Sequence, residues 1–231
     1  MGFGVILALY FRHVFFQKTK KILLYIGIGL LLALGLSADL SISGIAMSSN
    51  MRVLWINLFQ VARDGFLGIV GLTFYEILNL HPIINNWEDS LTAIKRLPVS
   101  VITGVLIGDV LYSAVISWLF KMQYINLSYL NNLVADSLAA VTEELFARLF
   151  LMGAILYIFR NVKSRWYLAI VISSLYWSFL HLGPDLMWAK AIQVFPFGIA
   201  LGWLMKKYGF ETCVFMHFAA NLLIVTTFSV F

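Results

Sequence analysis

Thr142-Glu143-Glu144-Leu145-Phe146-Ala147-Arg148 sets two adjacent carboxylates and an arginine inside a long apolar run. An ionised side chain near the centre of a bilayer costs roughly 2.5–3.5 kcal/mol on insertion scales, so such residues mark function or pairing. On a helix, Glu144 and Arg148 stand at i and i+4 and can form an ion pair. Glu143 is turned about 100° from Glu144, and neither Phe146 nor Ala147 gives it a charged neighbour on its own face. One carboxylate has a partner within its helix. The other needs one from elsewhere in the fold.

Composition sets the fold class. Of 231 residues, 61% are hydrophobic and 12% charged, against about 25% charged in a soluble domain, and mean hydropathy is +0.91. Apolar runs fall at 22–40, 53–80, 98–120, 130–159, 166–182, 187–205 and 211–230. Each is near the 20 or so residues that cross a hydrocarbon core about 30 Å thick. The expectation is an all-α polytopic membrane bundle of about seven spans, forming a single domain over 1–231. The run at 130–159 is longer and should tilt or protrude. Arg63-Asp64 interrupts the second run, whose membrane part is expected to begin near Gly65, with 53–62 interfacial or an extension of the same helix. Residues 2–16 are short for a span and carry Arg12 and His13, which suits an interfacial helix. No small-residue cleavage site follows them, so a removable signal is not expected. Residues 81–96 form a polar connection with an amphipathic helix.

The net charge of +5 is not spread evenly. Basic groups at Lys18/Lys20/Lys21, Lys95/Arg96, Arg160/Lys163/Arg165 and Lys206/Lys207 fall between apolar runs, all on one side of such a bundle, with Lys121 the exception. That pattern implies a cytoplasmic face and contact with anionic lipid head groups, not nucleic acid. A multi-pass protein of a prokaryotic plasma membrane is expected. The one cysteine, Cys213, excludes an internal disulfide.

Other polar residues interrupt the later runs. Trp177 and His181 share a helix face at i, i+4, just before Leu182-Gly183-Pro184-Asp185; His217 and Asn221 share another in the last run. Taken singly, each suits a structural hydrogen bond between helices. Together, a carboxylate, two imidazoles and a carboxamide on three helices are the parts for water-mediated acyl hydrolysis. A glutamate can take a proton from water and pass it to the leaving amine. Imidazole and amide N–H groups can steady the oxyanion of a tetrahedral intermediate.

Glu143-Glu144-x-x-x-Arg148, then Trp177-x-x-x-His181, then His217-x-x-x-Asn221 resembles the CPBP family of intramembrane glutamic proteases. That family includes type II CAAX prenyl endopeptidases and bacterial bacteriocin-processing and self-immunity proteases. Phe197-Gly198-Ile199-Ala200-Leu201-Gly202-Trp203, with Gly209 following, is similar to the family's glycine-rich segment. The resemblance covers roughly 130–225, the catalytic core helices; residues 1–125 carry no motif. Trp177 departs from the family's usual Phe. The resemblance implies Glu143 as general base, His181 positioning the attacking water, and His217 with Asn221 as the oxyanion site. It implies Glu144 and Arg148 as supports, no metal or other cofactor, and a peptide or protein substrate with a membrane-embedded or lipidated segment.

Rival readings use the same residues. Glu and His are acceptable zinc ligands, but no His-Glu-x-x-His pair occurs and the adjacent glutamates face apart. Cys213 lies four residues before His217, so a thiol nucleophile is conceivable, although packing is the commoner use of such a cysteine. A non-catalytic membrane scaffold or immunity protein would use the polar cluster for helix packing and partner binding. A transporter is disfavoured by the lack of an inverted repeat. Asp64 beside Arg63, Glu76, Asp109 (within reach of Arg63 or a backbone group) and Asp136 read as structural. One difficulty is spatial: His181 ends its run while His217 starts its own, which parallel helices at 1.5 Å per residue would hold several turns apart. Tilt, a shifted boundary or an inward dip at Gly183-Pro184 would be needed.

Overall fold

The computed structural model describes residues 47–80, 97–120, 129–182 and 187–228, with Gly27 and Lys95. All described elements are helical. They are α1 (Met47–Ile77), α2 (Val99–Phe120), α3 (Tyr129–Glu144), a π-helix (Leu145–Leu151), α4 (Met152–Ile158), α5 (Arg165–Leu180), α6 (Met187–Tyr208) and α7 (Phe210–Phe228). The expected interfacial helix at 2–16, the span at 22–40, most of the connection at 81–96, Lys121, Gly183-Pro184 and the side chain of Asp136 lie outside the described residues.

Val99–Phe120 and Trp188–Tyr208 are long and apolar enough to cross a membrane, and Phe210–Ile224 is a shorter apolar helix. Of the two arrangements expected for 53–62, the extension of the same helix is the one found: α1 passes through Arg63-Asp64 as one helix of 31 residues. The reason is local neutralisation. Arg63 donates from Nε and Nη2 to the two carboxylate oxygens of buried Asp64 at 2.7 and 3.0 Å, so neither charge forces the backbone out of register.

The run expected at 130–159 is helical throughout, but changes pitch at its centre. Over Leu145–Leu151 it is a π-helix, and the N–H of Met152 reaches back five residues to the carbonyl of Ala147. Return to α spacing in α4 passes over one carbonyl, that of Arg148. The buried hydroxyl of Tyr75 on α1 donates to it at 2.8 Å. Pro196 inside α6 creates the same problem, since it has no N–H for the carbonyl of Ile192. Tyr112 on α2 donates to that oxygen at 3.1 Å. Backbone groups freed inside an apolar bundle must be satisfied by neighbouring helices, and here two tyrosines from the motif-free half do so.

Glycines set how closely the helices approach. A Cβ on Gly71 would lie 2.2 Å from the carbonyl oxygen of Leu149, so α1 meets the π-helix backbone to backbone. Gly198 and Gly202 stand four apart on α6, and Cβ atoms there would come within 3.0 Å of Trp177 and Ile170 on α5. This small-x-x-x-small spacing lets the two helices pack closely. The core they enclose centres on Leu145, Leu149, Met152, Leu201, Leu204 and Met216.

Candidate active site

The two glutamates at the end of α3 occupy different environments. Glu144 is wholly buried, as is Arg148, whose Nε donates to its Oε2 at 3.1 Å, the pairing that the i, i+4 spacing predicts. Its other oxygen, Oε1, accepts the Nδ1–H of His217 on α7 at 2.9 Å. Arg148 also reaches the hydroxyls of Ser173 and Ser174 on α5 at 3.4 and 3.5 Å, and its guanidinium carbon stands 5.5 Å from the centre of the Trp177 ring. Its Nη2 finds no hydrogen-bond partner among the described residues. Glu144 thus ties three helices into a sealed charged layer.

Glu143 keeps 23% of its side chain exposed. Its partner comes from α5, where the indole Nε1–H of Trp177 donates to Oε2 at 2.8 Å. His181 follows one turn later at the helix end. Its Nδ1–H donates to the main-chain carbonyl of Trp177 at 2.9 Å, and its Nε2 stands 3.7 Å from the same Oε2 of Glu143. That is long for a direct bond and close enough for one water to bond both groups.

The separation expected between His181 and His217 is closed by Trp177. The two imidazoles stand edge-on to its indole, with ring centres 4.9 and 5.7 Å away. Phe197 of the glycine-rich segment packs edge-on to His217 at 5.6 Å.

Two cavities meet at this point. Glu143, Trp177 and His181 form a wall common to both. On one side lies a space of about 330 Å³ closed by Arg63, Asp64, Phe146 and Leu180. On the other lies about 210 Å³ lined by Asp109, Lys190, Gln193, His217 and Asn221, among others. All seven residues that the sequence singles out therefore converge, five of them on the second cavity and Glu144 with Arg148 behind it. Asp109 does not meet Arg63 in a shared cavity; Arg63 is taken by Asp64. Cys213 is buried with its thiol donating to the carbonyl of Leu201 at 2.7 Å. Among the described residues no three His, Cys, Asp or Glu side chains stand together as a metal-ligand set.

Several contributors escape sequence inspection. Ser173 and Ser174 precede Trp177 by a turn and read as small interior residues, while Tyr75, Lys190 and Gln193 fall in no motif. The serines carry the one usable signal, a polar pair in an otherwise apolar helix.

Residues 125–223 match the family model described as type II CAAX prenyl endopeptidase, Rce1-like. The chain is 32% identical over 89 residues to the sporulation-killing factor biosynthesis protein SkfC of Bacillus subtilis (strain 168), an alignment covering 38% of this chain. The aligned part is 17% of SkfC, so the chain corresponds to a minor portion of that relative. No solved structure matches. The matched region, which holds Glu143, His181, His217 and Asn221, is thus similar to the type II CAAX prenyl endopeptidase, Rce1-like family over somewhat less than half of the chain.

Proposed function

We propose that this chain hydrolyses a peptide bond of a lipidated or membrane-anchored peptide or protein, using water activated by Glu143 and no metal. The observation that carries this is the approach of Glu143 Oε2 to His181 Nε2, 3.7 Å apart, at a wall shared by two cavities. With Nδ1–H committed to the Trp177 carbonyl, neutral His181 presents a lone pair at Nε2. A water between the two groups then gives one hydrogen bond to Nε2 and its proton to Glu143.

The water oxygen forms a bond to the substrate carbonyl carbon as its O–H bond breaks and the proton moves to Glu143. The carbonyl π electrons move to oxygen. The resulting oxyanion is met by the Asn221 amide and by Nε2–H of His217. Because Nδ1–H of His217 is given to Glu144, donation from Nε2 uses the doubly protonated ring, held against the carboxylate that also pairs with Arg148. Collapse breaks the C–N bond, and Glu143 returns the proton to the amine. Each well-placed oxyanion donor is worth about 2.7–4 kcal/mol of barrier.

In this proposal the described helices belong to a bundle of about seven spans in a prokaryotic plasma membrane, consistent with apolar runs near 20 residues. Substrate would reach the site from the bilayer, with water entering through one of the two cavities. A prenylated Cys-a-a-X terminus is the first substrate class to try, given the family description. A killing-factor precursor is the second, given the name of the relative.

The test is cleavage of a farnesylated, fluorogenic Cys-a-a-X peptide by the full chain in lipid nanodiscs, with products mapped by mass spectrometry. Membrane peptides from cells with and without the active chain form the parallel, substrate-blind arm. Cleavage insensitive to strong chelators and abolished by Glu143→Gln is expected. Cleavage that survives Glu143→Gln, or no processed peptide in either arm, would leave a membrane scaffold as the better description.

A further inference from the structure

The sequence marks Trp177 only as an aromatic wall standing where the family pattern usually has Phe. The structure gives it two polar contacts, and both end on groups of the candidate site. Its indole N–H holds Glu143 at 2.8 Å and its main-chain carbonyl holds His181 at 2.9 Å. Any residue at this position could supply the carbonyl. Only an indole supplies the first bond, because Phe has no donor.

Both close approaches to Glu143, from Trp177 and from His181, fall on Oε2. The indole fixes the carboxylate's rotation, since Trp177 itself is 2% exposed and wedged by Gly198 on α6. Side-chain orientation held by a buried, packed donor is how reacting groups are kept within catalytic tolerance.

We propose that Trp177 is the positioning residue of the site, clamping Glu143 by its side chain and His181 by its backbone, so that both groups meet the same water. The proposal rests on the hydrolase assignment and specifies how its base is held.

The experiment replaces Trp177 in two ways: Trp177→Phe, and an isosteric benzothienyl-alanine that keeps the bicyclic shape and loses only the N–H. Cleavage of the farnesylated peptide is measured alongside its binding to the non-hydrolysing Glu143→Gln protein. Both replacements should lower kcat about ten- to a hundredfold, the worth of one hydrogen bond to a charged group. KM, and peptide affinity in the Glu143→Gln background, should stay within about threefold, because the bond acts on the reacting group and not on uniform binding. An unchanged kcat with benzothienyl-alanine would overturn the proposal. So would a parallel loss of kcat, affinity and thermal midpoint, which a wall residue gives. Wild-type turnover persisting in Glu143→Gln would instead overturn the hydrolase assignment itself, so the two failures are distinguishable.

Discussion

Glu143 and Glu144 are neighbours in the chain and belong to different regions of the molecule. Glu144 sits with Arg148 in a closed layer where neither side chain keeps exposed surface, and it holds His217 from behind the cavity that His217 lines. Glu143 faces two cavities and takes its hydrogen bond from an indole, leaving about a quarter of its side chain open. Adjacent carboxylates serve different purposes when their surroundings differ this much. The closed layer has the features of a brace: an ion pair, an oriented imidazole and a buried serine pair. The open layer has the features of a reaction site.

The largest expected effects separate these two layers directly. Glu143→Gln should reduce peptide cleavage by about 10²–10⁴-fold, the usual contribution of a general base, with an unchanged thermal midpoint in detergent. Glu144→Gln should lower that midpoint sharply, because removing one partner of a buried ion pair costs about 3–5 kcal/mol. If both variants lose activity with equal stability, the division between brace and reaction site is wrong.

Next in size is the contact that fixes the brace from outside. Gly71→Ala would push a methyl into the Leu149 and Phe150 backbone, 2.2–2.4 Å away, where neither side can yield as a flexible side chain would. A cost of about 1–3 kcal/mol or more is expected, as for overpacked cores, read as a lower unfolding midpoint. A neutral result would mean that α1 can part from the π-helix without consequence.

Smaller effects should follow from the two tyrosines that satisfy freed carbonyls. Tyr75→Phe strands the buried carbonyl of Arg148 and should cost about 1–3 kcal/mol. Tyr112→Phe acts at an exposed bond and should cost less. The ordering, measured by thermal unfolding of both variants, is the prediction; its reversal would show that the π-helix does not need the hydroxyl. Smallest of all is Cys213→Ala. The thiol is sealed against the Leu201 carbonyl, so cleavage rate should be unchanged within about twofold, since packing and not nucleophilic chemistry explains such a buried cysteine. Loss of turnover would bring the thiol back as a nucleophile.

Much of the framework is legible without coordinates. Among the described residues the apolar runs coincide with helices, α1 beginning at Met47 rather than at 53, and the i, i+4 spacing of Glu144 and Arg148 predicts their ion pair. Whether α1 continues through Arg63-Asp64 is left open by the sequence, which allows an interfacial segment or one helix at 53–62. Arg63-Asp64 looks like an interruption until the side chains are seen to neutralise each other along the helix. The π-helix leaves no trace in composition, because it depends on a tyrosine and a glycine seventy or so residues away.

What the sequence determines by itself is local: which segments are helical and apolar, which polar residues break them, and which of those lie on one helical face. These follow from periodicity, which acts over four or so residues. What only the tertiary structure decides is which group completes each pair. Trp177 reaches Glu143 across a separation of 34 residues and His217 reaches Glu144 across 73. No spacing rule spans such distances. Helix packing settles them, through the close approach that Gly71, Gly198 and Gly202 permit, and it is that packing which buries one glutamate in an ion pair and leaves its neighbour facing a cavity.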